Sequence, residues 1–370
     1  MIKRLPLLVM ALVLVGATGA PSEGVGTLGP YESTFRYIGN HPSDEETPFS
    51  ELLQGVSHDH DHWYITQQEY LWKIPVGIDL GALPDESEWG QVGIRRIYMQ
   101  DIQQLHDAGY NHMGDLTYYD GYLVLPLECV EGPCNGKSPP PGIAVFAAAD
   151  LGFLGHQEIT TPDGSWTALD PSDPEGLVYT ARTWNNVTHV SVYEIDWGKL
   201  AAVPPAMEVT WKRDQPIHDS AGISLTIQHS QGASFSESGH LLFILTGGTK
   251  SSEAECAIHV FETEGWRRIA ISSQTDPFFN YECHPGQLSD ESEGVTVWDL
   301  DNERAPGIRG QLHIAQVNVD WINDDNLHFH HYTGSIFADA AYGGEEADGT
   351  IWRPFRAVSQ ASGYAWDGSK

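Results

Sequence analysis

The sequence predicts an all-β protein, a single β-propeller of five four-stranded blades, with six blades as the alternative. Three observations support this fold class. The 370 residues include 38 Gly and 22 Pro, and no long stretch shows the 3.6-residue apolar period of a helix. One pattern of strand, turn, strand, loop, strand recurs five times. Each copy has room for a four-stranded antiparallel sheet, and radial repetition of such sheets makes a propeller.

The N-terminus predicts an export signal. Lys3 and Arg4 precede an apolar run over residues 5–15, and small residues follow it. This run is shorter than the roughly 20 residues that a membrane-spanning helix needs, and no other segment is apolar for that length. We therefore expect a signal peptide over residues 1–20, with cleavage after Ala17 favoured. The mature protein is expected to be secreted, either extracellular or periplasmic.

The charge of the chain excludes two classes of partner. Fifty-one acidic residues against 19 basic residues give a formal net charge of −32. Such a surface repels phosphate backbones and anionic lipids, so we expect neither nucleic acid nor a membrane as partner. We interpret the acidity as a means of solubility, and we expect a monomer.

Four cysteines in an exported chain predict two disulfides. Cys129 and Cys134 flank the short turn-like loop "VEGP", so we pair them with each other. Cys256 and Cys283 then pair by default. The spacing does not match a zinc ribbon, so we predict structural bridges.

The repeat is clearest in three segments that align without a gap. They are "GVSHDHDHWYIT" (55–66), "GDLTYYDGYLVL" (114–125) and "GASFSESGHLLF" (232–243). Each begins with Gly, crosses a polar turn and resumes as an apolar strand. A copy with a longer tip begins at Gly294, and a degenerate copy begins at Ser165. The glycines are therefore expected at equivalent places on successive blades.

A further strand with one apolar signature follows each hairpin. The five are "YLWKIPV" (70–76), "IAVFAAA" (143–149), "HVSVYEI" (189–195), "AIHVFET" (257–263) and "LHFHHYT" (327–333). We place the last in the outer part of its blade, where its alternate histidines would face solvent.

The segments between and around the copies complete the predicted blades. Residues 93–109 can hold a fourth strand and one short helix. Residues 34–53 and the C-terminal tail lie outside the clear copies, and pairing a strand from each end of the chain would close the propeller.

The chain resembles secreted bacterial β-propeller repeat proteins. The segments that carry the resemblance are "GDLTYYDGYLVLPLE" with "GIAVFAAADL", and "GASFSESGHLLFILTG" with "AIHVFETEG". The resemblance concerns blade-building positions and implies architecture rather than an activity, because propellers host many functions. It covers most of residues 50–335, and the overlay of the repeats predicts one propeller domain over residues 30–365.

The start of each repeat is the predicted ligand site. Innermost strands of a propeller line the central channel, and their entrances form its mouth. Polar side chains at this frame position come from four repeats, and Trp166 offers an aromatic face in the degenerate copy. The predicted ligand-binding residues are Gln54, His112, Asp115, Gln231 and Glu293, with His229 and Glu291 beside them.

Three function hypotheses follow. The first is an extracellular module that binds a carbohydrate or another small polar ligand at the channel mouth. The second is a carbohydrate-active hydrolase or lyase, for which the catalytic candidates are Asp115, Glu293 and His112. The third is a protein-interaction scaffold.

The histidine-rich segment "SHDHDH" poses a separate question. His58, His60 and His62 alternate with two aspartates and could hold a divalent cation as a cofactor. The alignment, however, puts Asp61 at the turn position of a hairpin, which places His60 and His62 at its tip. We therefore favour an exposed polar turn over a metal site.

Overall fold

The computed structural model describes residues 36–334, apart from 131–133, 162–163, 249–255, 278, 282–288 and 320–324. The described residues form five antiparallel sheets that are arranged around a common axis. The chain is therefore a five-bladed β-propeller, as the sequence predicts. The predicted signal peptide and the last part of the predicted domain lie outside the described residues.

The strands follow one another blade by blade, except for the first. Strand β1 (Arg36–Glu45) belongs to blade 5. Blade 1 contains β2 (Leu53–His58), β3 (His62–Gln67), β4 (Tyr70–Pro75) and β5 (Arg95–Tyr98). Blade 2 contains β6 (His112–Met113), β7 (Thr117–Tyr119), β8 (Tyr122–Glu128), β9 (Gly142–Ala147) and β10 (Gly152–Glu158). Blade 3 contains β11 (Ala168–Leu169), β12 (Val178–Ala181), β13 (His189–Ile195) and β14 (Val209–Pro216).

The last two blades and the helices complete the list. Blade 4 contains β15 (Ser230–Phe235), β16 (Leu241–Thr246), β17 (Ala257–Glu262) and β18 (Arg267–Ile271). Blade 5 contains β19 (Ser289–Val297), β20 (Leu312–Val319) and β21 (Asn326–Thr333), with β1 outside them. The helices are α1 (Trp89–Val92), α2 (Gln103–Ala108) and α3 (Trp197–Leu200), and short 3-10 turns span Glu86–Glu88 and Met99–Asp101.

The propeller is closed by the N-terminal strand. Strand β1 pairs antiparallel with β21, from Arg36 opposite Thr333 to Glu45 opposite Leu327. The fourth strand of blade 5 thus comes from the opposite end of the chain, and the described residues contain no sixth sheet. The predicted C-terminal partner in this closure lies outside the described residues.

Each interface between neighbouring blades holds its own apolar cluster. Strand β16 shows why its sequence "LLFILT" is apolar at its first five positions. Phe243 packs in the cluster between blades 4 and 5, whereas Leu242 and Ile244 pack in the cluster between blades 3 and 4. Successive side chains of a strand point to opposite faces, so a strand covered on both faces needs apolar residues throughout.

The predicted third strands are confirmed within one or two residues as β4, β9, β13, β17 and β21. The segment 93–109 contains the predicted strand and helix, β5 and α2. The prediction that the histidines of β21 face solvent is wrong. Strand β1 covers the outer edge of β21, and His331 is only 3% exposed.

One predicted disulfide is confirmed. Cys129 and Cys134 form a disulfide with their Cα atoms 5.9 Å apart. Cys256 is also disulfide-bonded, and its predicted partner Cys283 lies outside the described residues. Within residues 36–334, no helix is both long enough and apolar enough to cross a membrane.

Burial lowers the pKa of seven histidines. At His112 the pKa falls to about 4, and at His259, His330 and His331 it falls to about 3. The cause is the same in each case, because a charged imidazole loses its hydration inside the protein. The other three are His58, His156 and His313.

We expect the free energy of unfolding to fall as the pH drops below about 6.5. Above that pH the imidazoles are neutral in both states. Below it, the unfolded chain takes up protons that the folded chain does not, and each such histidine costs about 1.4 kcal/mol per pH unit. Burial raises the pKa of Asp115 and Glu293, which acts in the opposite direction, but two carboxyls do not offset seven imidazoles.

Urea titrations between about pH 7.5 and about pH 4.5 measure this dependence. The variant His259→Gln lacks one buried imidazole and should show a shallower slope. A free energy that stays constant or rises on acidification contradicts the expectation.

Candidate functional site

The innermost strands approach one another so closely that only glycine fits between them. A Cβ atom added to Gly294 would lie 2.5 Å from the backbone nitrogen of Val56, in the next blade. A Cβ on Gly232 would lie 2.7 Å from Oδ2 of Asp115, and one on Gly55 would lie 2.5 Å from the same carboxylate. These glycines stand at equivalent places on blades 1, 4 and 5, as predicted. They bring backbone to backbone at the propeller axis.

Asp115 lies at the centre of this contact and is 0% exposed. Its Oδ1 accepts the N–H of Val56 in blade 1 at 3.0 Å and the N–H of Leu116 at 3.1 Å. Its Oδ2 accepts the N–H of Ala233 in blade 4 at 3.1 Å. The N–H of Val295 in blade 5 also donates to the carboxylate. One side chain therefore holds the inner strands of three blades against its own.

The backbone of Asp115 joins the remaining blade. Its N–H donates to the carbonyl of Ser165 at 3.0 Å, and its carbonyl accepts the N–H of Thr167 at 3.0 Å. Both partners belong to the start of blade 3. Through its backbone and carboxylate together, Asp115 is hydrogen-bonded to all five blades, and we call this arrangement the axial clasp.

In the axial clasp, backbone N–H groups oppose the effect of burial on the pKa of Asp115. Burial raises the pKa of Asp115, and the four N–H groups that point at the carboxylate act against this by favouring the ionised form. A proton on either oxygen would face an N–H group rather than an acceptor. The four donors and the carboxylate therefore satisfy one another.

Glu293, the second predicted carboxylate, is 3% exposed. Burial is the largest cause that raises its pKa, and the neighbouring charges of Glu291, Asp115 and Asp325 add to it. Its side chain is hydrogen-bonded to Glu291, which also favours the protonated acid. Burial and the acidic neighbours of Glu293 therefore act together to raise its pKa. With Asp115 at 0% exposure, neither predicted catalytic carboxyl is open to a substrate.

Of the other three predicted ligand residues, Gln54 and Gln231 are hydrogen-bonded within the protein. Gln54 donates to the carbonyl of Leu53 at 3.0 Å. Gln231 accepts the indole N–H of Trp184 at 2.9 Å. His112 lies 3.9 Å from Glu128, and its Nδ1 atom is buried without a hydrogen-bond partner among the described residues.

The structure brings some of the predicted residues near one another, but none of them lines either of the two cavities that lie between blades. Asp115 and Glu293 interact with each other electrostatically, and Gln231 and Glu291 both lie near Gly248. The degenerate copy contributes Trp166, which is 0% exposed and donates to the hydroxyl of Ser230 at 2.6 Å. Asp115 and Trp166 hold the inner strands together, and the ligand-binding role of the predicted residues stays a prediction.

The histidine-rich segment forms the hairpin tip that its alignment predicts. The carboxylate of Asp59 accepts the N–H groups of Asp61 and His62 at 2.6 and 2.7 Å, and it also accepts the hydroxyl of Tyr64 at 2.6 Å. Arg304, from blade 5, donates to Asp61 at 3.0 Å and contacts His60. The tip is therefore a turn that is tied to the next blade.

The three histidines of this segment have different surroundings. His58 stacks on Trp298 with ring centroids 4.3 Å apart, and its Nε2 lies 2.7 Å from the carbonyl of Val297. His62 lies 3.1 Å from Asp59, whereas the side chain of His60 is 84% exposed. Among the described residues, no three His, Cys, Asp or Glu side chains are grouped as a metal site.

A cavity that the sequence did not predict lies against blade 5, on the face towards blade 4. It has a volume of about 350 Å³, and each of its described lining residues carries a hydrogen-bonding group. We call it the blade 4–5 cavity. Its lining consists of the amides Asn40, Asn280, Gln316 and Asn318, the acids Asp44 and Asp290, and the rings Tyr37, Tyr281, His328 and His330.

Three strands of blade 5 each change from apolar to polar residues along one face, and their polar parts line this cavity. Along one face of β20, Leu312 and Ile314 pack in the apolar cluster, and Gln316 and Asn318 then line the cavity. On β21 the same change runs from Tyr332 to His330 and His328. On β19 it runs from Val297 and Val295 to Asp290. One half of the interface is therefore apolar, and the other half is polar.

Contacts within the blade 4–5 cavity hold its side chains in place. His330 Nε2 lies 2.6 Å from Oε1 of Gln316, and the ring of Tyr281 meets His330 edge-on with centroids 5.5 Å apart. Tyr281 also shares a 2.6 Å hydrogen bond with Ser292. Oδ1 of Asn318 is buried and has no hydrogen-bond partner in the described part of the chain.

Comparisons with known proteins find only weak similarities to solved structures. No family model matches the chain, and no curated protein matches its sequence. A luciferin-regenerating enzyme is similar with a TM-score of 0.43 and 12% identity, over 84% of this chain and 94% of that one. The Cps50 (Swd1) β-propeller domain of Myceliophteria thermophila is similar with a TM-score of 0.34 and 10% identity, over 73% and 66% respectively. Similarities of this size support no conclusion about function.

The axial clasp generates a test of stability. Asp115→Asn replaces one acceptor oxygen by an NH2 group that faces backbone donors, so buried N–H groups lose their partner. We expect the free energy of unfolding to fall by roughly 3 kcal/mol or more, measured by chemical denaturation. The matched control is Asp120→Asn, an exposed turn residue with φ of 45°, where Asn is well tolerated. Equal stability of the two variants would contradict the structural role of Asp115.

Proposed function

We propose that this protein is a secreted binding protein for a small, neutral, polyhydroxylated ligand the size of a monosaccharide. The proposed site is the blade 4–5 cavity rather than the channel mouth. One observation carries the proposal, namely that hydrogen-bonding groups line the whole cavity where the rest of the same interface is apolar. Polar side chains between packed blades reduce stability unless they are satisfied, so their clustering favours a ligand.

The size of the cavity fits a small ligand. Its volume of about 350 Å³ is at the lower end of the range for small-molecule sites, roughly 300–1,000 Å³. A monosaccharide or another compact polyol is of the appropriate size, whereas a nucleotide or a folded partner is too large. Each hydroxyl of such a ligand can both donate and accept a hydrogen bond.

The charge of the cavity disfavours an anionic ligand. Asp44 and Asp290 line it, and among its described lining residues there is no Lys or Arg to bind an anion. Burial lowers the pKa of His330 to about 3, so this imidazole is neutral at physiological pH. Phosphorylated and carboxylated ligands would be repelled, and the net charge of −32 adds to this effect.

Asn318 indicates which kind of group the ligand presents. Its Oδ1 atom is a buried acceptor without a partner among the described residues, and leaving such an atom unpaired costs about 1–3 kcal/mol. A ligand hydroxyl that donates to Oδ1 would recover this free energy on binding. The ring of Tyr37 lines the cavity and can supply aromatic surface for the apolar face of a sugar ring.

Asn318→Leu tests the proposal. Leucine has a similar volume and removes the unpaired acceptor, so the folded protein should be as stable as the wild type or slightly more stable. Binding of the ligand should be lost, because the donor hydroxyl would face a methyl group. Thermal-shift and calorimetric titrations with glucose, galactose, mannose, xylose, N-acetylglucosamine and myo-inositol measure both effects, since a ligand of the folded state raises the Tm.

The matched control is Asn302→Leu, an exposed residue in the loop at the opposite end of blade 5. This variant should bind as the wild type does. The proposal fails if no compound in the set raises the Tm of the wild type, or if Asn318→Leu binds the active compound unchanged.

A further inference from the structure

A second polar cavity lies against blade 3, on the face towards blade 2. It has a volume of about 240 Å³. Six of its lining residues carry the argument below: Thr160, Thr161, Arg182, Ser191, Trp211 and Asp214. We call it the blade 2–3 cavity. None of these residues takes part in the axial clasp or in the blade 4–5 cavity.

The blade 2–3 cavity is built in the same way as the blade 4–5 cavity. On β13, Ile195 and Tyr193 pack in the apolar cluster between blades 2 and 3, and Ser191 then lines the cavity on the same face. On β12 and beyond it, Val178 of the cluster is followed on that face by Arg182. Two interfaces out of five thus change from apolar to polar along their strands.

An ion pair between Arg182 and Asp214 lines this cavity. Oδ2 of Asp214 accepts from Arg182 at 2.8 Å, and Oδ1 accepts from the hydroxyl of Ser191 at 2.7 Å. Arg182 is paired through one of its two terminal nitrogens, and 52% of its side chain is exposed. The pair is formally neutral, and it keeps guanidinium N–H groups and carboxylate lone pairs for a ligand.

Trp211 stands beside the ion pair as an exposed aromatic surface. It is 50% exposed, and its indole N–H lies 3.3 Å from Oδ1 of Asp214. Tryptophan is usually well buried, so a half-exposed and anchored indole is a recognised feature of binding sites. Its flat apolar face can stack on the C–H face of a sugar ring while Asp214 and Arg182 bind the hydroxyls.

An unpartnered hydroxyl points to a ligand independently of the tryptophan. Oγ1 of Thr161 is buried, and it has no hydrogen-bond partner in the described ranges. Thr161 itself is 6% exposed and lines the cavity. Its neighbour Thr160 lies 3.5 Å from the hydroxyl of Tyr193, which is at the limit of a hydrogen bond. A ligand hydroxyl would satisfy Thr161.

We propose that the blade 2–3 cavity is a second carbohydrate site, which binds one neutral sugar residue of an oligosaccharide. The inference rests on the proposed function for the class of ligand. It adds that this site takes a residue within a chain, because a half-exposed stacking surface leaves the sugar open to solvent on one side. Two sites on different blades would let the protein hold a glycan surface with greater avidity than either site alone.

Trp211→Ala tests this inference, with Ile223→Ala as the matched control. Ile223 is 64% exposed and does not line the cavity. The probes are maltohexaose, cellohexaose, mannohexaose and xylohexaose, titrated calorimetrically and by saturation-transfer NMR. At least one should bind the wild type and Ile223→Ala equally, and it should bind Trp211→Ala at least about tenfold more weakly. Trp211→Phe should recover part of the affinity, because it keeps an aromatic face.

The two proposals fail separately in this design. If no hexasaccharide binds, or if Trp211→Ala binds as the wild type does, the second site is wrong, whatever the monosaccharides show. If hexasaccharide binding is lost in Asn318→Leu and kept in Trp211→Ala, the second site is also wrong. If Trp211→Ala alone weakens the hexasaccharide and no monosaccharide binds, the second site holds and the blade 4–5 cavity is not a site. An unchanged Tm shows that the exposed Trp211 is not required for folding.

Discussion

The fold depends on the carboxylate of Asp115 at the propeller axis. Irregular pairing occurs just before Gly55, Gly232 and Gly294, where each inner strand shifts register against its neighbour in the same blade. Such bulges leave backbone groups without a partner in the sheet. The N–H groups of the residues that follow these glycines are directed to Asp115. A single acidic side chain therefore supplies, at the axis, the acceptors that three sheets lack.

This constraint explains which parts of the prediction succeeded. The glycine at the start of four of the five copies was visible because close approach of the inner strands allows no other residue there. The turn at Asp61 and the third strands could be predicted because each occupies a fixed place in a repeated unit. The role of Asp115 could not be predicted. Alignment shows that polar residues converge on the axis, but it does not show that backbone donors already occupy the carboxylate.

The two polar cavities were missed for a different physical reason. Gln316 and Asn318 on β20 follow apolar residues at a spacing of two, and this pattern is equally typical of a strand end that reaches solvent. Only the position of β1 decides between these interpretations, because it covers β21 and encloses His328 and His330. That strand comes from the far end of the chain, so no local pattern could have placed it. The Trp beside two basic residues in "VTWKRDQ" was the available signal for the second cavity.

The close contact of the inner strands at the axis is connected with the division of two blade interfaces into an apolar half and a polar half. The axial clasp and the glycines bring the inner strands together at the axis, and the two sites that we propose lie between the blades instead. There, the apolar half of an interface contributes stability through the hydrophobic effect, and the polar half can differ from blade to blade without loss of the common architecture. Blades 3 and 5 carry polar halves in which a buried oxygen, Thr161 Oγ1 or Asn318 Oδ1, has no partner among the described residues. An unpaired polar atom is costly in a folded protein, and under the two proposals a ligand hydroxyl would satisfy each of these oxygens.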